Sequence, residues 1–463
     1  MPAIVSPIDG QPAFEFAQLD ADAALVKLAA AEEAQRAWRT TPLAERKALL
    51  LRVLDSYAAR LDANANAITR MMGKPVGQAA GEFRGGFCQR VRHLCEIAEH
   101  SLRDLEVGGD EGIRKFIRRE PVGVVLNIAA WNYPLLVPSN VVAAAILAGD
   151  AVILKHAEQT ALVADQLAQA FAEAGAPEGL FTALHVDHPT AAEVIDSGRL
   201  GFVAFTGSVR GGREVYRQVA QHNFIGVGLE LGGKDPALVL EGAPAAKVAA
   251  HLVDGAFYNA GQSCCAVERI YVHRSLYSEF VEAYIAEVHR YKLGDPLDPE
   301  TNLGPVVNAA AAARIREQAA EALAKGARKL SDDARFTVPD ISTCYLAPQV
   351  FDRVDHSMAV MREESFGPII GIMPFDSDDE AVAMANDSRF GLSASVWTED
   401  GERGAAIASR LDAGTVFQNR CDYLDPGLAW TGIKDSGHGA SLSELGFHAV
   451  TRPKSYHLRA LIP

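Results

Sequence analysis

Residues 258–267 read Tyr-Asn-Ala-Gly-Gln-Ser-Cys-Cys-Ala-Val. Gly261-Gln262 is a turn signal, and two adjacent cysteines follow it directly. A thiol at a glycine-marked turn is sterically open, which a nucleophile requires. Upstream stands Gly228-Leu229-Glu230-Leu231-Gly232-Gly233-Lys234, a carboxylate between leucines and glycines. Cys264 is the candidate nucleophile. A thiol needs a lowered pKa or a nearby base to act. Glu230 is the candidate base, because its apolar flanks should raise its pKa toward neutrality. Cys265 points elsewhere in either a helix or a strand and reads as a small buried residue. A thiol with a partly desolvated carboxylate predicts covalent acyl chemistry, in which Glu230 activates the water that hydrolyses a thioester.

Two further places could serve that chemistry. Asn132 lies just past the apolar run 122–128, at the carboxyl end of a predicted parallel strand, where open α/β sheets place ligands. Its amide can donate to a developing oxyanion, with the Cys264 N–H as the second donor. An Asn two residues before Pro134 is equally a turn former. Gly207-Ser208 precedes a helical pattern over 209–220. Backbone and hydroxyl donors at a helix start suit a pyrophosphate, and Gly212 would permit close approach. No Gly-x-Gly-x-x-Gly occurs there.

Gly-Gln-x-Cys at 261–264, Leu-Glu-Leu-Gly-Gly-Lys at 229–234, Trp131-Asn132-Tyr133-Pro134, Phe205-Thr206-Gly207-Ser208 and Glu363-Glu364-Ser365-Phe366-Gly367-Pro368 occur in one chain. Their order and separation resemble those of the aldehyde dehydrogenase superfamily over nearly the whole length. The resemblance implies an NAD-dependent, non-acylating aldehyde dehydrogenase, with NADP the less favoured cofactor. It implies that Lys155 and Glu158 contact the adenosine ribose, where a carboxylate accepts from two hydroxyls and repels a 2′-phosphate. It implies that Glu364 holds the nicotinamide ribose, that Phe366 packs near the ring, and that Trp131 and Leu231 join the cofactor contacts. Tyr133, Ser263, Cys265, Tyr423 and Trp430 would surround the aldehyde, whose identity fold and motifs leave open. The chain departs from the family pattern in three places. His156 stands where proline is usual. Val141 stands where many members carry lysine. Ser441 replaces a frequent glutamate, with Glu444 as its stand-in.

These residues must be positioned by elements. Residues 20–66 show helical spacing interrupted at Pro42 and read as two helices, continued over 76–104 after Gly73 and Pro75. From residue 121 strand and helix patterns alternate. Strands are expected at 122–128, 151–154, 181–186 and 202–205, and helices at 139–147, capped by Ser139, and after Thr160. The alternation resumes with strands at 236–240 and 269–273 and helices at 244–258 and 276–292. This is the pattern of parallel α/β sheets. The expected fold is α/β: a Rossmann-type cofactor domain (1–102 and 121–231), an α/β catalytic domain (232–450), and a small β extension for oligomerisation (103–120 and 451–463). The tail makes a poor solitary strand and needs an edge, which points to a homodimer or a dimer-of-dimers tetramer.

Composition excludes other classes. The chain has 463 residues, 49% hydrophobic and 22% charged, enough for large cores without metals or disulfides. A net charge of −15 disfavours nucleic acid as a partner. The six cysteines have neither the density of a disulfide framework nor the spacing of a zinc site, so no metal is expected. No secretory signal or apolar run long enough to cross a bilayer is apparent, which gives a cytoplasmic expectation and no membrane partner. The partner expected is a small aldehyde. Two rival readings are a coenzyme A-acylating relative, which the Glu230 motif opposes, and a non-catalytic structural descendant, which the intact set Cys264, Glu230 and Asn132 opposes.

Overall fold

The apolar runs in the middle of the chain become a six-stranded sheet. Its spatial order is Gly437–His438, Gly226–Glu230, Phe202–Thr206, Val124–Ala129, Ala151–His156 and Phe181–Ala183. All neighbours are parallel except the Gly437–His438 edge. The strands Val124–Ala129 and Ala151–His156 are buried almost throughout, as continuous apolar runs covered on both faces should be. A second sheet of seven strands runs Arg328–Lys329, Gln349–Asp352, Ile369–Phe375, Val267–His273, Asp235–Val239, Ser393–Trp397 and Thr415–Gln418. It too is parallel but for one edge pair. The computed structural model describes residues 3–109 and 111–460. The expected α/β architecture is present.

The helix Leu136–Ala148 shows how the first layers lock together. Its apolar residues face sheet and helices alike, so it is buried nearly all round. Its last carbonyls have no partner within the helix. Donors from the helices Ala21–Trp38 and Leu43–Ala58 satisfy them: Trp38 Nε1 donates to Ile146 O (2.9 Å) and Arg46 Nη1 to Leu147 O (2.8 Å). Its first amides are met from the other side. The Glu82 carboxylate accepts from Leu135 N (2.7 Å) and Leu136 N (3.0 Å), and is itself paired with buried Lys74 (2.6 Å). The Ser139 cap expected from sequence is therefore not used. The helix begins a turn earlier, and Ser139 Oγ donates to Leu136 O within it.

Three other details differ from expectation. Residues 20–66 fall on three helices, because the chain turns again at Ala59-Arg60 before Leu61–Met72 without a glycine or proline to mark it. Thr160 caps no helix; its hydroxyl meets His156 Nδ1 (2.9 Å). The strand expected over 181–186 stops at Ala183. The tail strand Thr451–Arg459 finds its edge inside the same chain. It pairs antiparallel with Ile113–Pro121, from Thr451↔Pro121 to Arg459↔Ile113, and Tyr456 stacks on Phe116 at 4.5 Å. Residues 461–463 of the expected tail, and position 110, lie outside the described residues.

Candidate active site

The carboxyl ends of the six-stranded sheet face the amino ends of the seven-stranded one. Trp131 and Asn132 follow the strand ending at Ala129, Gly207 follows the one ending at Thr206, and Glu230 ends its own strand. Opposite them, Cys264 precedes the strand starting at Val267, and Phe366 the one starting at Ile369. Between lies a cleft of about 600 Å³. It is lined by Trp131, Asn132, Gly207, Ser208, Glu230 and Leu231 from one side and by Cys264, Glu364 and Phe366 from the other. Lys155 and Glu158 stand apart from this wall. Lys155 is buried at the end of its strand, and exposed Glu158 accepts from Gln18 Nε2 (3.2 Å).

The thiol is placed by backbone. After the helix Ala245–Phe257, Asn259, Ala260 and Gly261 adopt φ of 52°, 56° and 70°. Such left-handed geometry is uncommon for residues other than glycine and asparagine, so Ala260 carries the strain. At Gly261 a side chain is also excluded by space, since a Cβ would lie 2.4 Å from Gly367 O. Side chains lace the loop shut. Asn259 Nδ2 donates to the carbonyls of Asn132 and Gln262 (3.1 Å each), and Gln262 Oε1 accepts from Val307 N (2.8 Å). Asn132 Nδ2 donates to Gln262 O (3.2 Å), which leaves its second amide proton for another acceptor. Cys264 is half-buried. Cys265 is 2% exposed, turns away, and meets Asp422 Oδ1 at 3.2 Å together with Ser263 Oγ at 2.7 Å. Trp430 packs with Cys265 in a small apolar cluster that Cys264 touches.

The candidate base is placed by side chains. Ser441 Oγ donates to Glu230 Oε1, and Asn140 Nδ2 approaches Oε2 at 3.4 Å. Arg90 Nη1 donates to Asn140 Oδ1 (2.6 Å). Burial pushes the Glu230 carboxyl up, while Ser441, Arg90 and Asn140 draw it partly back. Lys234, a potential ionic partner for Glu230, pairs instead with buried Glu268 (2.6 Å). Glu268 in turn accepts from the amides of Ser365 and Phe366 (2.8 and 2.9 Å) and so shapes the loop that carries Glu364 and Phe366. Glu444 is no stand-in for the missing glutamate. It sits at the surface near His448 and His100.

The wall of the cleft suits a dinucleotide. Ser208 caps the helix Val209–His222 through Gly211 N (3.2 Å), which aims free amides at the cleft. Gly207 and Gly232 keep that surface bare: a Cβ would meet Phe205 at 2.7 Å or the Glu364 carboxylate at 2.4 Å. Gly212 makes room for the Leu231 side chain, which lies 2.5 Å from where a Cβ would stand, rather than for a ligand directly. Glu364 accepts from Gly233 N (3.1 Å), and burial followed by Glu268 raises it to about 7. Phe366, at φ 51°, meets Trp131 edge-on at 5.4 Å. Sequence reasoning missed Arg210, Arg314 and Arg389 along the cleft, and Asn140 and Arg90 around the candidate base. Gln262, read from sequence as part of a turn, also ties the thiol loop to Val307 N. Among the described residues no cluster could hold a metal ion.

A family model described as the aldehyde dehydrogenase family matches residues 2–456. Betaine aldehyde dehydrogenase 2 of Rhizobium meliloti (strain 1021) is 33% identical over 453 residues, 97% of this chain and 92% of that protein. Among solved structures, an NAD-dependent aldehyde dehydrogenase from Sinorhizobium meliloti is 32% identical, with a TM-score of 0.94 over 100% of this chain and 91% of that one. An indole-3-acetaldehyde dehydrogenase complexed with NAD+ is 30% identical, with a TM-score of 0.93 over 99% and 93%. An NADP-dependent enzyme of E. coli is 28% identical, with a TM-score of 0.94 over 99% and 94%.

Proposed function

The chain belongs to the aldehyde dehydrogenase family and is an NAD(P)-dependent aldehyde-oxidising enzyme, and from that premise we propose which of its residues perform the reaction and how. Cys264 Sγ attacks the aldehyde carbonyl and forms a thiohemiacetal. Asn132 and the Cys264 N–H hold the developing oxyanion. A nicotinamide, when bound in the cleft, would supply the hydride acceptor needed for oxidation of the Cys264 adduct to a thioester. Glu230 then takes a proton from water, whose oxygen attacks the thioester carbon. The C–S bond breaks, and a carboxylic acid leaves. The observation that carries this reading is the single cleft that Cys264, Asn132 and Glu230 line together from its two sides.

Trp131, Gly207, Ser208, Leu231, Glu364 and Phe366 would hold the cofactor in that cleft, with Lys155 and Glu158 at its adenosine end. We favour NAD over NADP, because the exposed Glu158 carboxylate would repel a 2′-phosphate. We assign cofactor binding to 1–102 and 121–231 and catalysis to 232–450. We assign subunit contact to 103–120 and 451–463, in a dimer or dimer-of-dimers, as the outer edge of Thr451–Arg459 stays open to a further strand. A cytoplasmic location fits the six cysteines, all free thiols; among the described residues no helix is long and apolar enough to cross a membrane.

The test is a rapid quench of enzyme, aldehyde and NAD followed by peptide mass spectrometry. The acyl adduct should sit on Cys264. Cys264→Ala should yield neither adduct nor reduced cofactor, while Cys265→Ala should retain substantial activity. The opposite pattern in folded variants reverses the assignment. In the same assays Glu158→Gln should narrow the kcat/KM preference for NAD, and a higher wild-type kcat/KM with NADP refutes that preference.

A further inference from the structure

Two amides reach back from the helix Leu136–Ala148 to the loop that carries Asn132. Val137 N donates to Tyr133 O (2.9 Å) and Ser139 N to Leu135 O (3.3 Å), each to the residue one helical turn before. The amide between them would meet Pro134 O in the same way, but position 138 is proline and has no N–H. Pro134 is buried, and a buried carbonyl without a donor is costly. The donor that arrives comes from another element. His156 ends the strand Ala151–His156, is 3% exposed, and its Nε2 lies 3.0 Å from Pro134 O. A carbonyl can only accept, so Nε2 carries the proton and Nδ1 takes the Thr160 hydroxyl (2.9 Å). On its other side the loop is tied to the thiol turn. Asn259 Nδ2 donates to Asn132 O, and Asn132 Nδ2 to Gln262 O.

On the reading of Asn132 as an oxyanion donor, we propose that His156 stands in for the amide missing at Pro138 and thereby positions Asn132. The loop is then fixed from two sides. Asn259 and Gln262 set Asn132 relative to Cys264, and His156 sets the loop relative to the sheet. An oxyanion donor stabilises a transition state only if its N–H already points where charge develops; a donor that must first turn loses that advantage. His156 touches no substrate and is a positioning residue, and Thr160 fixes its tautomer.

The oxyanion step can be read without cofactor. 4-Nitrophenyl acetate acylates Cys264: Sγ bonds to the ester carbon, and 4-nitrophenolate leaves. Its burst rate in stopped flow reports that step in the full-length enzyme. Asn132→Ala should slow the burst by roughly 10²–10³. His156→Leu should slow it about tenfold, a share of that figure, yet add nothing in the Asn132→Ala background. Adding Pro138→Ala to His156→Leu returns an N–H to Pro134 O and should restore the burst. His156→Gln, which keeps a donor, should stay near the wild-type rate. Alkylation of Cys264 by iodoacetamide forms no oxyanion and should run alike in all of them, whereas general disorder of the site would change both reactions. If Asn132→Ala acylates at the wild-type rate, the oxyanion assignment itself is wrong. If Asn132→Ala is slow while His156→Leu is fast, or if His156→Leu slows both backgrounds equally, Asn132 keeps its role and positioning by His156 is overturned. Should His156→Leu not fold, its Pro138→Ala derivative decides: a folded protein with a fast burst upholds the proposal, and a slow burst or a failure to fold overturns it.

Discussion

Glu230 and Cys264 face the same cleft from two different sheets and are held by opposite means. The proposed base is held by side chains: Ser441, Asn140 and, through Asn140, Arg90. The thiol is held by backbone: three left-handed residues in a row, closed by Asn259 and Gln262. The difference suits the work proposed for each group. A base changes charge every turnover, so polar groups around it must answer both states. A nucleophile must stay where the carbonyl arrives, and a turn with no conformational freedom fixes it best.

The comparison is most exposed to a change at the base. Glu230→Gln should slow deacylation by about 10²–10⁴ yet leave a burst of reduced cofactor near one equivalent per site, as stopped-flow absorbance would record. A burst that slows in parallel would mean that Glu230 also serves the thiol, and the separation of the two devices would fail. A change at the turn should act on the fold instead. Gly261→Ala meets Gly367 O and an unfavourable φ, and should cost about 2–4 kcal/mol in denaturant unfolding. An unchanged midpoint would show that the turn yields easily.

The third test concerns His156, which joins the two modes. Its Nε2 lies 3.0 Å from Pro134 O, so that nitrogen carries the proton, and Thr160 donates to Nδ1. This bond pins the loop of Asn132. Burial lowers His156 to about 4 from 6.5. The unfolded chain therefore binds a proton that the folded chain refuses. Its contribution to stability is complete above pH 6.5 and is lost as pH falls toward 4, up to about 3 kcal/mol. His156→Gln should flatten that part of the stability profile. An equal slope in both proteins would assign the loss to carboxylates.

The groups proposed to react stood out because of their neighbours: Gly261-Gln262 before the thiol, and leucines and glycines around Glu230. The groups that hold them did not. Asn140 is one polar residue in an apolar helix, and nothing local says that it meets a carboxylate 90 residues away. Ser441 matters only because a two-residue strand brings it back beside Glu230, 211 residues distant. The Ser139 cap failed for the same reason: Glu82, remote in sequence, reached the helix start first. Parallel strands were visible as buried apolar runs, whereas the break at Ala59-Arg60 lacked any breaker residue.

The return of the chain to its first sheet has a consequence for biosynthesis. A ribosome delivers residues from the amino end, and domains fold as they emerge. The edge of the Glu230 strand stays open until Gly437–His438 arrives, and Ile113–Pro121 waits for Thr451–Arg459. Pairings so distant in sequence form late and leave edges free to meet other chains meanwhile. The thiol at 264, the proposed nucleophile, thus leaves the ribosome well before Ser441 can reach Glu230. A nascent chain can already be alkylated or oxidised at that cysteine before it can turn over an aldehyde.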